Sequence, residues 1–201
     1  MDSSFLKLLA YINGLLWLIP IIRQRNTKHS VFFFFYGIPD AIQLLLKLLF
    51  HIKFNSHIYA FFTTLLLPSI FGFGSNRKKL FWMFFAAAAA AIVYFLPWRA
   101  GIIYNIIIII IILFYFCKDL FHNALTRGKL SLFTLLIIFV CLLTVLKMIL
   151  VIQNPVTSLP YYIITSIFQL FIAIIFSIFT PDHKWMTIRL VKDGLIEENS
   201  D

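Results

Sequence analysis

Leu130–Val151, LSLFTLLIIFVCLLTVLKMILV, is a run of 22 residues with one charged side chain, Lys147. At 1.5 Å per residue a helix of that length spans about 33 Å, enough to cross a hydrocarbon core of about 30 Å. Its apolar residues cover every face, so neither an amphipathic helix on a soluble core nor a period-two strand fits. The fold therefore depends on how many such runs the chain holds.

Six further stretches read the same way: Phe5–Ile22, Val31–Phe50, Ile52–Phe73, Leu80–Trp98, Gly101–Cys117 and Tyr161–Thr180. Phe5–Ile22 lacks a charged leader and an A-x-A site, so it reads as a first span rather than a cleaved signal. Alternating ten-residue strands are absent, which argues against a β-barrel. Of 201 residues, 62% are apolar and 12% charged, against roughly 25% charged in soluble domains. The expectation is an all-α, polytopic transmembrane bundle of seven helices over residues 1–180, with a short tail over 181–201.

Basic residues set the orientation, because Lys and Arg are retained on the cytoplasmic side. Alternate connectors hold Arg23, Arg25 and Lys28, then Arg77, Lys78 and Lys79, then Lys118, Arg127 and Lys129, and the tail holds Lys184, Arg189 and Lys192. The opposite side has Lys53 and Arg99. This places the N-terminus outside and the C-terminus in the cytoplasm, and the expected location is a bacterial inner membrane. The formal charge of +9 is scattered between apolar runs, so it implies contact with membrane lipids and not with nucleic acid. In the tail, Trp185, Ile188, Val191 and Leu195 recur at near-helical spacing, which predicts an interfacial helix before a disordered acidic end.

Two low-complexity runs carry packing information. Ala86–Ala91 predicts close backbone approach and a buried place for the fourth helix, whereas Ile106–Ile112 is equally apolar all round. Cys117 and Cys141 read as small apolar packing residues, since neither a disulfide framework nor a zinc cluster suits their positions.

Ionisable groups inside a span cost about 2.5–3.5 kcal/mol at its centre, so each needs a partner, a cavity or a route to water. Tyr36, Asp40, Gln43 and Lys47 fall on one face of the second helix, at offsets of four, three and four. Asp40, near mid-span, is too short to snorkel, whereas Lys47 and Lys147 lie within reach of the outer surface. His57 and Tyr59 enter the third helix at that depth, Asn105 the fifth, and Gln169 sits deeper in the seventh. Convergence of these groups would form a polar pocket open to the outside above an apolar floor of Phe, Leu and Ile. The competing reading is a set of interhelical hydrogen bonds that only lock the bundle, each worth about 0.6 kcal/mol.

No chemistry is legible beyond that pocket. Three convergent metal ligands are lacking on the outer side, no G-x-S-x-G occurs, and Tyr161–Thr180 has no lysine for a retinal Schiff base. An enzyme is disfavoured and no cofactor is expected. The partners expected are lipids, a small-molecule ligand, and a membrane or cytoplasmic protein that would read out helix movement.

The first connector, Pro20-Ile21-Ile22-Arg23-Gln24-Arg25-Asn26-Thr27-Lys28-His29-Ser30, resembles the PQ-loop segment of small sugar carriers, with Ile21 at the place of the motif's glutamine. That likeness implies a seven-helix carrier with its N-terminus outside. Pro20 with Arg23 and Arg25, Asp40, and Asn55-Ser56-His57-Ile58-Tyr59 are together similar to features of small seven-helix membrane proteins of Bacteroidota-type bacteria, a group without an assigned activity. This second likeness covers about the first seventy residues. The expected function is ligand sensing or an accessory role, with a carrier or a structural subunit as the alternatives.

Overall fold

A computed structural model describes residues 3–50, 56–71, 76–153 and 159–190. About 86% of the described residues are helical. Its helices are α1 (Ser3–Leu16), α2 (Leu18–Arg23), α3 (Ser30–Phe50), α4 (Ser56–Phe71), α5 (Asn76–Phe95), α6 (Trp98–Arg127), α7 (Leu132–Gln153) and α8 (Leu159–Ile178). α3, α6, α7 and α8 are long and apolar enough to cross a membrane. The α1–α2 region, α4 and α5 carry shorter apolar stretches, Tyr11–Arg23, His57–Leu67 and Leu80–Phe95.

Composition explains the arrangement. Leu48, Phe84, Phe95, Phe114 and Phe171 point outward and are all more than half exposed, a surface suited to lipid tails and not to water. Lipid gives no hydrophobic push between helices, so close packing and hydrogen bonds must hold them together. α4, α6, α7, α8, the α1–α2 pair and α3 touch in turn and close a ring. α5 stands outside that ring, chiefly against α4.

The peripheral place of α5 corrects the burial expected from Ala86–Ala91. Ala86, Ala89 and Val93 meet a neighbour, while Leu80, Phe84 and Phe95 face outward. Small side chains allowed close approach on one face only, and a helix needs large contacts on several faces to be central. In α6, Ile108, Ile109 and Ile112 are buried and Ile107, Ile110 and Ile111 exposed, a face that the isoleucine run alone could not reveal.

Other differences have local causes. Phe5–Ile22 is broken at Trp17 because Pro20 has no N–H to give the carbonyl of Leu16, four residues earlier. α3 approaches this break closely: a Cβ on Gly37 would meet the Trp17 carbonyl oxygen at 3.2 Å. The helix read as Gly101–Cys117 continues to Arg127 and ends on Gly128, whose φ of 58° suits a left-handed cap. Most of the expected connector Lys118–Lys129 is therefore helix.

The tail departs most. Lys184–Met186 is a 3-10 turn and Thr187–Arg189 is a strand, β2, paired antiparallel with β1 (Lys129–Ser131). This replaces the expected interfacial helix as far as residue 190; Val191 to Asp201 lie outside the described residues.

An aromatic layer closes the bundle toward the Gly128 end. Trp17, Phe33, Phe133 and Phe176 are essentially inaccessible, and the Phe176 ring centre lies 4.8 Å from that of Phe33 and 4.9 Å from that of Phe133. His29 stacks on Phe133 with ring centres 5.4 Å apart. Burial, reinforced by Lys28 and opposed by Asp119, pushes its imidazole down to about 4. Gln24, fully buried, donates Nε2 to the carbonyls of Phe176 at 2.6 Å and Phe179 at 2.7 Å. It thereby caps the end of α8, where helical carbonyls lack donors. Among the described residues one salt bridge occurs, Lys28–Asp119 at 3.6 Å.

Candidate functional site

The ring encloses a cavity of about 460 Å³, within the range of small-molecule sites. It extends from Phe32 in the first turn of α3, past Ile109 and Cys141 at mid-helix, to Trp98 and Val151 near the helix ends. Most of the wall is apolar, with Phe35, Leu66, Ile102 and Met148 among its members. Five residues of the sequence-derived pocket line it: Asp40, Tyr59, Asn105, Lys147 and Gln169.

One polar cluster spans α3, α4 and α6. Asp40 follows Pro39 inside α3, and Tyr59 of α4 donates its hydroxyl to Asp40 Oδ1 at 2.5 Å. One turn along α4, Thr63 donates to Asn105 Oδ1 at 2.7 Å, and Asn105 Nδ2 donates to the Gly101 carbonyl at 2.9 Å. Asn105 is thus satisfied on both sides of its amide.

A second cluster joins α3, α7 and α8. Lys147 Nζ donates to Gln169 Oε1 at 2.7 Å and lies 4.8 Å from the ring centre of Tyr162. Gln169 Nε2 in turn donates to Thr144 Oγ1 at 3.0 Å and to the Tyr36 hydroxyl at 3.3 Å. Thr144 gives its own proton to the Val140 carbonyl, so Tyr36 is the donor in the 2.5 Å Tyr36–Thr144 bond. Every polar atom of the buried Gln169 side chain is committed, which fixes where Lys147 points.

Asp40 and Lys147 therefore face one cavity from different clusters. Both line the cavity, yet they form no ion pair within 4 Å. A carboxyl group and an amine held apart in an apolar enclosure can each bond a polar ligand group, with the aromatic and aliphatic walls taking an apolar body.

The remaining pocket candidates fall elsewhere. His57 packs its ring against Tyr94 of α5, with centres 5.2 Å apart, and does not line the cavity. Gln43 is half-buried and also outside the lining. The side chain of Lys47 lies outside the described residues. Thr144 and Trp98 join the site without having been singled out: a lone threonine in an apolar run and a tryptophan at a helix start both read as ordinary packing. Among the described residues, no three His, Cys, Asp or Glu side chains converge as metal ligands.

No protein-family model, curated protein or solved structure matches this chain.

Proposed function

We propose that the chain is a seven-span membrane protein that receives a small ligand or lipid in the Asp40–Lys147 cavity from the outer side and acts as a sensor or accessory component. In this reading α1 and α2 form one span, the N-terminus is outside and the C-terminus cytoplasmic, an orientation that the alternation of basic connectors supports. A bacterial inner membrane suits that charge pattern. The likeness to seven-helix proteins of Bacteroidota-type bacteria points the same way.

The observation that carries the reading is the separation of Asp40 and Lys147. Two charges that served only to lock the bundle would gain most by pairing. Instead each is held by a neutral partner, Tyr59 or Gln169, on the wall of a shared cavity. A receptor is favoured over an alternating-access carrier by the Trp17–Phe33–Phe133–Phe176 layer, which fills the way to the opposite end.

Asp40→Asn tests this. It keeps an acceptor for Tyr59 and removes the charge, so thermal stability without ligand should change little. Stabilisation by hits from a metabolite and lipid screen should fall. A screen that stabilises wild type and Asp40→Asn equally would leave the scaffold reading in its place.

A further inference from the structure

At the far end of α6 from Trp98, the β1–β2 pair sets Lys129 directly opposite Arg189. Like charges facing each other across strands destabilise a sheet. Arg127, the last residue of α6, lines the same groove with Gly128 and Leu190. All three cations are exposed, and among the described residues no acidic group lies within 4 Å of any of them. Among the described residues the fold thus collects three positive charges around one groove without a counter-charge.

We propose that Arg127, Lys129 and Arg189 bind the phosphate of an anionic membrane lipid. The proposal takes from the preceding reading only that the chain spans a bilayer, and its failure would leave the ligand cavity untouched. Depth supports it. The 30 residues of α6 measure about 45 Å, the thickness of a bilayer with both headgroup layers. With Trp98 in one interfacial layer, Arg127 reaches the other.

The surface beside the groove favours a lipid over a free phosphate compound. Phe114, Phe121 and Leu125 of α6 are all more than 60% exposed. Their offsets of seven and four put them on one helix face, leading from the groove toward mid-membrane. A lipid with its phosphate in the groove would place its acyl chains along that stripe, with Trp185 of the 3-10 turn and Ile188 of β2 as exposed apolar neighbours.

The test is a thermal-stability titration of the full chain in neutral detergent micelles. The additions are dioleoyl phosphatidylglycerol, dioleoyl phosphatidylcholine or inorganic phosphate. Phosphatidylglycerol should raise the melting temperature saturably, and the other two should not. Lys129→Gln or Arg189→Gln should weaken the apparent affinity about 5-fold, and the double variant about 30-fold. In micelles without lipid these variants should be as stable as wild type or more so, because the like-charge pair is relieved. Arg77→Gln/Lys78→Gln, which removes basic charge elsewhere, should keep the full response. The proposal is overturned if the double variant responds like wild type, if the Arg77/Lys78 variant loses the response equally, or if inorganic phosphate reproduces it.

Discussion

The Tyr59 hydroxyl donates to Asp40 Oδ1 at 2.5 Å, joining α4 to the acidic residue of α3 on the wall of the cavity. Removing the hydroxyl leaves a carboxylate in an apolar enclosure without that donor, and bonds to charged groups contribute about 1.5–3 kcal/mol. Tyr59→Phe should therefore destabilise the protein by that order in chemical denaturation. Tyr59→Phe/Asp40→Asn should recover part of the loss, since a neutral amide tolerates the apolar neighbour better. Equal stability of Tyr59→Phe and wild type would mean that the bond contributes nothing.

Lys147 and Gln169 should be energetically coupled. A double-mutant cycle with Lys147→Met and Gln169→Leu is expected to give a coupling of about 0.6 kcal/mol, and no more than about 1.7 kcal/mol, the span of interhelical bonds in membranes. Strict additivity of the two variants would contradict the 2.7 Å contact.

Gln24 is expected to matter for stability and not for ligand affinity. Gln24→Leu deprives the Phe176 and Phe179 carbonyls of their donor and should cost about 1–3 kcal/mol. Ligand affinity of the folded variant should be unchanged, because Gln24 does not line the cavity. A selective loss of ligand affinity would show that the cap also shapes the site.

His29 gives a pH signature. Its imidazole is held at about 4 in the folded protein, below the ordinary 6.5, so the unfolded chain binds more protons between these values. The stabilisation is present above pH 6.5 and lost as pH falls toward 4, by about 3 kcal/mol at most. His29→Phe keeps an aromatic ring against Phe133 and should flatten that part of the stability-against-pH curve. A profile of unchanged slope would assign the acid sensitivity to another group.

Much of this arrangement is legible before any coordinates. Asp40, Tyr59, Asn105, Lys147 and Gln169 can be found in the sequence because each polar group interrupts an apolar run and must be accommodated. His57 is found by the same logic and then meets Tyr94: sequence depth does not specify which neighbour a helix face will touch. α6 runs past its expected end because Lys118 and Asp119 look like the end of a span. A helix ends where its backbone bonding ends, here at Gly128, and not where the lipid does. β2 is not legible in the sequence because its partner, Lys129–Ser131, lies nearly sixty residues away, and short apolar spacing is ambiguous between turn, strand and helix.

One-sided access to the cavity tests the central claim most directly. In a Cys117→Ala/Cys141→Ala background, Met148→Cys places a thiol on the cavity wall, and Leu142→Cys places one on the exposed outer face of α7. A membrane-impermeant thiol reagent applied to oriented, sealed vesicles should label Met148→Cys from the outer side only and leave Leu142→Cys unmodified. Labelling of Met148→Cys from the cytoplasmic side, or from neither side, would contradict a ligand pocket open to the outside.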